Sequence, residues 1–284
     1  MAERLQPGSG PLDYGSRTWL RSLFAIAILV LYLPILTLMA FSFNTDRRGV
    51  VWRGFTLNNY LKAWNNRELQ EALINSLSIA VLATVISTVI GAMLAILLWR
   101  FRFPGKAGYE GLMALPIVIP EICMGVALAL FFANTGMMEG VVPLPWPINL
   151  ANIIIAHVAF CFPFVAIVVR SRLVGFNREF EEASKDLGAN EWQTFWNVLV
   201  PFMMPGLVAG ALLAFTLSLD DFVITFFTSG PDTVTFPVKV YSLVRRGVSP
   251  EINAASTVLI IITILATTIA MKLQAPAKAA EGGT

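Results

Sequence analysis

The sequence predicts an all-α membrane protein of six transmembrane helices, with the N-terminus and the C-terminus both cytoplasmic. Three observations predict it. Of the 284 residues, 56% are hydrophobic and only 13% charged, with a mean hydropathy of +0.71, a balance that ordinary soluble domains do not have. Six apolar segments are each long enough for a bilayer, which takes about 20 residues at a rise of about 1.5 Å. Lys and Arg gather in the flanks that share one side of such a bundle, among them Arg100, Arg102, Lys106, Arg170, Arg172 and Arg178, as positive-inside sorting requires. The first outer loop runs against that count with Arg47, Arg48, Arg53, Lys62 and Arg67. A formal net charge of +2 gives no electrostatic basis for a nucleic-acid partner.

The first segment, 22–43, follows a cytoplasmic N-terminal stretch over 1–21. Its apolar run is too long for a cleaved signal, and Asn44-Thr45-Asp46 supplies no small-residue cleavage site. Residues 55–73 carry Phe55, Leu57, Tyr60, Leu61 and Trp64 at helical spacing, so they are expected along the outer membrane surface with the aromatics at headgroup depth. The second segment is 76–98. The third, 111–133, contains Pro116 and Pro120, which interrupt its hydrogen-bond ladder. Pro143, Pro145 and Pro147 prevent the 134–150 loop from being helical throughout. The fourth, fifth and sixth segments are 151–169, 206–229 and 254–271, and the tail over 274–284 is small, polar and expected to be disordered. Residues 22–273 therefore read as one membrane domain.

The cytoplasmic loop near 174–201 has its own start and stop signals. Asn177 is placed to cap a short helix from Arg178 to about Leu187, and Gly188 to end it. Asn190 then caps a second helix, with Gln193 completing a capping box. Two short helices meeting at a glycine make a rigid knob whose Phe176, Phe180, Glu181 and Glu182 are expected to be exposed to a partner's groove. An amphipathic loop helix packed on its own bundle is the competing reading.

Nothing in the chain reads as a catalytic centre. Gly105-Lys106 lacks the upstream glycine of a phosphate-binding loop. His157 is the sole histidine, and Cys123 and Cys161 are far apart within apolar runs, where small buried hydrophobes are commoner than ligands. The ionisable groups within the segments are the informative ones: Glu121, His157, Asp220 and Asp221. A carboxylate at a helix centre costs about 2.5–3.5 kcal/mol on insertion scales, so these acids are expected to face the bundle interior or a wet cavity. With no Lys or Arg inside the segments to neutralise them, a cationic cargo is one reading. A hydrogen bond to a neighbouring helix or subunit is the other. Adjacent residues point about 100° apart, so one of Asp220 and Asp221 can line a path while the other caps backbone or meets His157.

Counted from Glu182, the run Glu182-Ala183-Ser184, then Gly188, then Val198-Leu199-Val200-Pro201 resembles the EAA-x3-G-x9-I-x-L-P loop of ABC-importer permeases. Ser184, Val198 and Val200 depart from it by small-for-small or aliphatic-for-aliphatic changes. The stretches 218–231, 241–254 and 55–60 are similar to the second permease subunit of bacterial putrescine/spermidine ABC importers. The resemblance implies a type I ABC-importer permease fold in the bacterial inner membrane. It implies a paralogous permease subunit, a periplasmic polyamine-binding protein and two copies of a cytoplasmic ATPase, which carry the ATP and Mg; no cofactor and no enzymatic activity are expected in this chain. Glu182, Ala183, Ser184, Gly188 and Pro201 are then the ATPase-coupling residues. Glu121, Asp220, Asp221, His157, Phe160 and Phe222 are the expected substrate path, although core packing is the competing role for the aromatics. An importer of the same architecture for iron(III), thiamine or an amino-acid derivative stays open, as do, less strongly, a secondary transporter and a membrane scaffold.

Overall fold

The computed structural model describes residues 18–46, 51–137, 148–230, 233–245 and 249–274. Expectations for the N-terminal stretch before 18, the proline-rich loop over 138–147 and the tail beyond 274 lie outside them. Among the described residues the chain is helical, and the one extended pairing is an isolated bridge between Asn44 and Phe55. The described residues form two compact units, one of 18–46, 51–63 and 249–258, the other of 64–137, 148–230, 233–245 and 259–274.

The first unit opens with α1 (Thr18–Phe41), four residues ahead of the expected start, so Arg21 lies inside the helix. None of its residues is buried, as suits a helix apolar all round. A polar and aromatic knot follows. The Asn59 amide, on α2 (Asn58–Asn65), donates to the Ser42 and Asn44 carbonyls at 2.8 Å each, and Phe43 stacks on Phe55 at 5.2 Å. These bonds satisfy backbone groups that no helix covers.

The second unit contains α3 (Arg67–Arg100), α4 (Lys106–Val118), α5 (Glu121–Asn134), α6 (Ile148–Leu173), α7 (Glu179–Asp186), α8 (Glu191–Thr194), α9 (Val200–Asp220), α10 (Val223–Thr228) and α11 (Phe236–Val244); α12 (Pro250–Gln274) closes the chain. Three expectations are corrected. The stretch over 55–73 does not lie along a surface as one helix: the Asn66 side chain caps Leu69, and α3 begins at Arg67. At 34 residues, α3 is about 51 Å long, well beyond a hydrocarbon layer of about 30 Å. The third span is not one helix either, because α4 and α5 meet at 108°. Pro120 has no N–H to continue the ladder, and it forces Ile119 into extended backbone at ψ 133°. The fifth span begins earlier than 206 and stops before 229, running from Glu191 to Asp220. A π turn over Phe195–Leu199 joins α8 to α9. That widened turn accommodates Pro201, whose ring would clash with a carbonyl in an ordinary helix.

Helix α6 is the centre of this unit, packed against both α3 and α9. A Cβ at Gly91 of α3 would sit 2.8 Å from the Val165 Cβ and 2.9 Å from the Phe162 carbonyl oxygen, and one at Gly210 of α9 would sit 3.0 Å from Val165. Small residues let helices approach closely where lipid gives no hydrophobic drive to associate. Gly91→Ala is therefore expected to cost about 1–3 kcal/mol by overpacking, read as a lower midpoint of thermal unfolding in detergent. Gly108→Ala, with nothing within 4 Å, is expected to leave the midpoint unchanged. Equal midpoints for the two variants would mean that α3 and α6 are less closely packed than described.

Candidate functional site

Two groups of residues lie at opposite ends of α9. At its C-terminal end the helix stops after Asp220, and Asp221 takes over the hydrogen bonding. The Asp221 carboxylate accepts the backbone N–H of Ile224 at 3.2 Å and of Thr225 at 2.8 Å, which starts α10. It also accepts the Thr225 hydroxyl at 2.8 Å. With that proton committed, Thr225 Oγ1 accepts from His157 Nε2–H at 2.8 Å. The other ring nitrogen, Nδ1, is hydrogen-bonded to the Ser218 hydroxyl at 2.7 Å. His157 Nε2 also lies 3.4 Å from Asp221 Oδ2. One buried network thus ties α6, α9 and α10 together, with its donors and acceptors matched.

Asp220 is different. It is exposed and is the last residue of α9, where unpaired carbonyls carry partial negative charge and a carboxylate is disfavoured. Glu121 is exposed as well and is the first residue of α5, where the helix dipole favours it. Helix α5 packs on α10 so closely that a Cβ at Gly125 would fall 2.9 Å from the Phe227 ring. Glu121, at the bend of the third span, and Asp220, at the end of α9, lie within range of each other's charge. Phe222 is half-buried and lies against Tyr241 at 4.7 Å and Phe226 at 5.5 Å. Phe160 is buried in the main core with Cys161 and Val165. Of the expected path residues, Asp221, His157 and Phe160 are therefore enclosed by the chain, while Glu121 and Asp220 are open. Tyr241 and Phe226 beside Phe222 were not singled out from the sequence; their spacing from the Asp-Asp pair was the available signal.

At the other end of α9 stands the loop with the Glu182-Ala183-Ser184 run. Gly188 has φ +90° and ends α7 in a Schellman arrangement: its N–H donates to the Lys185 carbonyl at 2.8 Å, and Ala189 N–H to that of Ser184 at 3.1 Å. The Asn177 side chain accepts the Glu179 N–H at 3.1 Å, but α7 begins at Glu179, one residue later than expected, with Arg178 at its N-cap. Asn190 and Gln193 form the expected capping box. Ser184 bonds Thr194 at 3.1 Å, holding α7 against α8. Lys185 pairs with Glu191 at 2.5 Å.

The expected exposure of Glu181 and Phe176 is corrected. Glu181 is buried under the Arg100 guanidinium at 2.8 Å, and Phe176 is 8% exposed, edge-on to Trp99. Glu182, Ala183, Gly188, Pro201 and Phe180 do face outward. So do Leu187, Trp192 and Trp196, whose exposure was not foreseen, although Trp192 and Trp196 sit one helical turn apart after the Asn190 cap.

A model of the binding-protein-dependent transport system inner membrane component family matches residues 87–276. The chain belongs to that family. This permease is 39% identical over 250 residues to the spermidine/putrescine transport system permease protein PotC of Haemophilus influenzae, covering 88% of the chain and 94% of the relative. To PotC of Escherichia coli K12 it is 40% identical over 247 residues, covering 87% and 90%. To the putrescine transport system permease protein PotI of the same strain it is 38% identical over 245 residues, covering 85% of each. Among solved structures, a bacterial ABC transporter involved in import of the acidic polysaccharide alginate superposes with a TM-score of 0.67 at 15% identity, covering 89% of this chain and 96% of the other. The MetNI methionine ABC transporter gives 0.57 at 18% identity, covering 74% and 98%. Those likenesses show that the permease has the fold of ABC-importer membrane subunits.

The network at His157 generates a prediction. His157→Leu removes the partner of the Ser218 hydroxyl and the donor to Thr225 Oγ1; a buried polar group left unpaired costs about 1–3 kcal/mol, measured as a fall in thermal midpoint. Ser218→Ala shares one of the same bonds. The double variant is therefore expected to lose less than the two single losses added together. Strictly additive losses would show that the two side chains are not coupled.

Proposed function

We propose that this chain is the permease subunit of an ATP-driven polyamine importer and forms half of its translocation pathway. The carrying observation is identity of 38–40% to PotC and PotI permeases over 85–88% of the chain. The site supports a cationic cargo. Glu121 and Asp220 are open acids, one at the bend of the third span and one at the end of α9, and Asp220 sits at the helix end that disfavours it. A visiting ammonium relieves that repulsion. Asp221 and His157 act indirectly, by fixing the turn that presents Asp220. Half-buried Phe222, with Tyr241 beside it, offers apolar surface and ring faces to the methylenes and charge of a diamine. Such a path need bind only weakly, since a site that holds too tightly stops release.

The loop at the start of α9 is the docking surface for a separate ATPase in this reading, with Glu182, Phe180, Leu187 and Trp192 outward. That sets the loop and both termini on the cytoplasmic side of the inner membrane. A second, paralogous permease completes the path, and a periplasmic binding protein delivers the polyamine. The family description names binding-protein dependence, and the alginate transporter, the fold neighbour, is solved with its periplasmic protein. ATP and Mg belong to the ATPase pair, two copies per complex.

Two experiments test this reading. In proteoliposomes holding the reconstituted complex, Asp220→Asn and Glu121→Gln are each expected to lower putrescine or spermidine uptake per assembled complex by about tenfold, the scale of one charge-assisted hydrogen bond. Asp221→Asn is expected to reduce the amount of assembled complex instead. Unchanged per-complex uptake in both open-acid variants would remove the cation path. In the loop, Gly188→Val places a β-branched residue at positive φ, a strain of about 1–2 kcal/mol, and Glu182→Lys reverses an exposed charge. Polyamine-stimulated ATP hydrolysis and uptake are expected to fall together in both. Wild-type rates in the two variants would mean that the ATPase docks elsewhere.

A further inference from the structure

The docking loop is continuous in sequence with α6 on one side and with α9 on the other, so movement of the loop reaches those helices through the chain itself. Helix α3 has no such continuity. It packs along both α6 and α9, and it meets the loop through side chains near its C-terminal end. Arg100, its last residue, donates from one guanidinium nitrogen to both oxygens of Glu181 on α7, at 2.8 and 3.1 Å. Its other nitrogen lies 3.9 Å from Glu191 on α8. Trp99 beside it takes the Arg178 guanidinium over its ring at 5.4 Å and the edge of Phe176 at 5.7 Å. Beside these contacts is a cavity of about 230 Å³, lined by Ile96, Arg100, Glu181, Phe195 and Leu199 among others. The hold of α3 on the loop thus combines these directed polar contacts with apolar packing, in which Ala95 and Trp99 share a cluster with Phe176 and Leu199.

We infer that Arg100 is a positioning residue for energy coupling: through Glu181 and Glu191 it delivers displacement of α7 and α8 to α3. Glu181 is nine-tenths buried, so the pair is screened far less than a surface ion pair. Its geometry is that of a guanidinium spanning two carboxylates, which a point-charge ammonium does not reproduce. Glu181 precedes the Glu182-Ala183-Ser184 run and faces the bundle, so its role differs from that of the outward face.

The inference rests on the ATPase-docking reading above, but its test does not depend on the cargo. The complete complex is purified with Cys123→Ser and with a single reporter, Glu71→Cys, at an exposed site on the polar first turns of α3. The reaction rate of this cysteine with a maleimide is measured with and without a non-hydrolysable ATP analogue. Otherwise wild-type complex is expected to show a nucleotide-dependent change in rate. Arg100→Gln and Glu181→Gln are expected to keep the ATPase bound but shrink that change about fivefold or more, the lower range of allosteric couplings. Arg100→Lys is expected to fall between.

The charge swap Arg100→Glu with Glu181→Arg, made in a Glu191→Gln background so that no two carboxylates meet, is expected to restore most of the response. A merely structural role lowers the yield of complex and leaves the response per complex intact. That result in both single variants overturns the inference, and so does an assembled swap no better than they are. A chain that captures no ATPase overturns the docking reading and this inference with it. A complex with the expected nucleotide responses that takes up no polyamine overturns the cargo assignment alone.

Discussion

A helix that ends among buried neighbours must find new partners for the backbone groups it gives up, because an unpaired buried N–H is costly. The Asp221 carboxylate meets that requirement. It accepts two backbone N–H groups of α10 and the Thr225 hydroxyl, and through Thr225 it is tied to His157 on α6 and onward to Ser218 on α9. A buried ionised group is tolerated only when its hydrogen bonds are made, and here they are made by the elements it organises. The exposure of Asp220 follows from this: one of two adjacent acids turns inward to hold the break, and the other is left outside. The break at Ile119 and Pro120 is managed differently. The Pro120 carbonyl accepts from Cys123 and Met124, and Glu121 complements the positive end of α5.

The second constraint is the close approach of α3 and α9 to Val165 on α6 through Gly91 and Gly210. Those contacts make the three helices a single packed body, with Val165, Val169, Leu199 and Met203 in its core. The loop between α6 and α9 grows out of that body without a flexible joint. α7 ends in a Schellman turn, α8 begins in a capping box, and the π turn carries α8 into α9 past Pro201. A rigid knob at one end of α9 and a side-chain-braced break at the other place both candidate regions on one continuous element of 30 residues.

Much of the fold was legible because apolar length and punctuation are local properties. The hydropathy of five long helices and one bent pair, the positive φ of Gly188 and the Asn190–Gln193 box all follow from neighbours within a few residues. The sequence also offered the two roles for the Asp220–Asp221 pair without assigning them. It misjudged exposure where the decisive partner is distant in the chain. Glu181 reads as a surface acid until Arg100, 81 residues away, is folded over it, and Phe176 reads as an exposed ring until Trp99 arrives. Segment lengths erred for a related reason: Asn66 and the π turn begin or extend helices through geometry that a hydropathy window averages away.

By itself, then, the sequence determined that the chain is a helical membrane protein, where its spans fall to within several residues, and that a capped helix–glycine–helix loop projects between the fourth and fifth. Each is written in periodicity, run length and cap chemistry, which act over single turns. Tertiary structure alone decided which acid is buried and which is open, that Glu121 and Asp220 come into each other's field, and that the loop is held to α3 by an arginine. Those outcomes depend on contacts between helices dozens of residues apart, and no local spacing encodes the direction in which a side chain will find its partner.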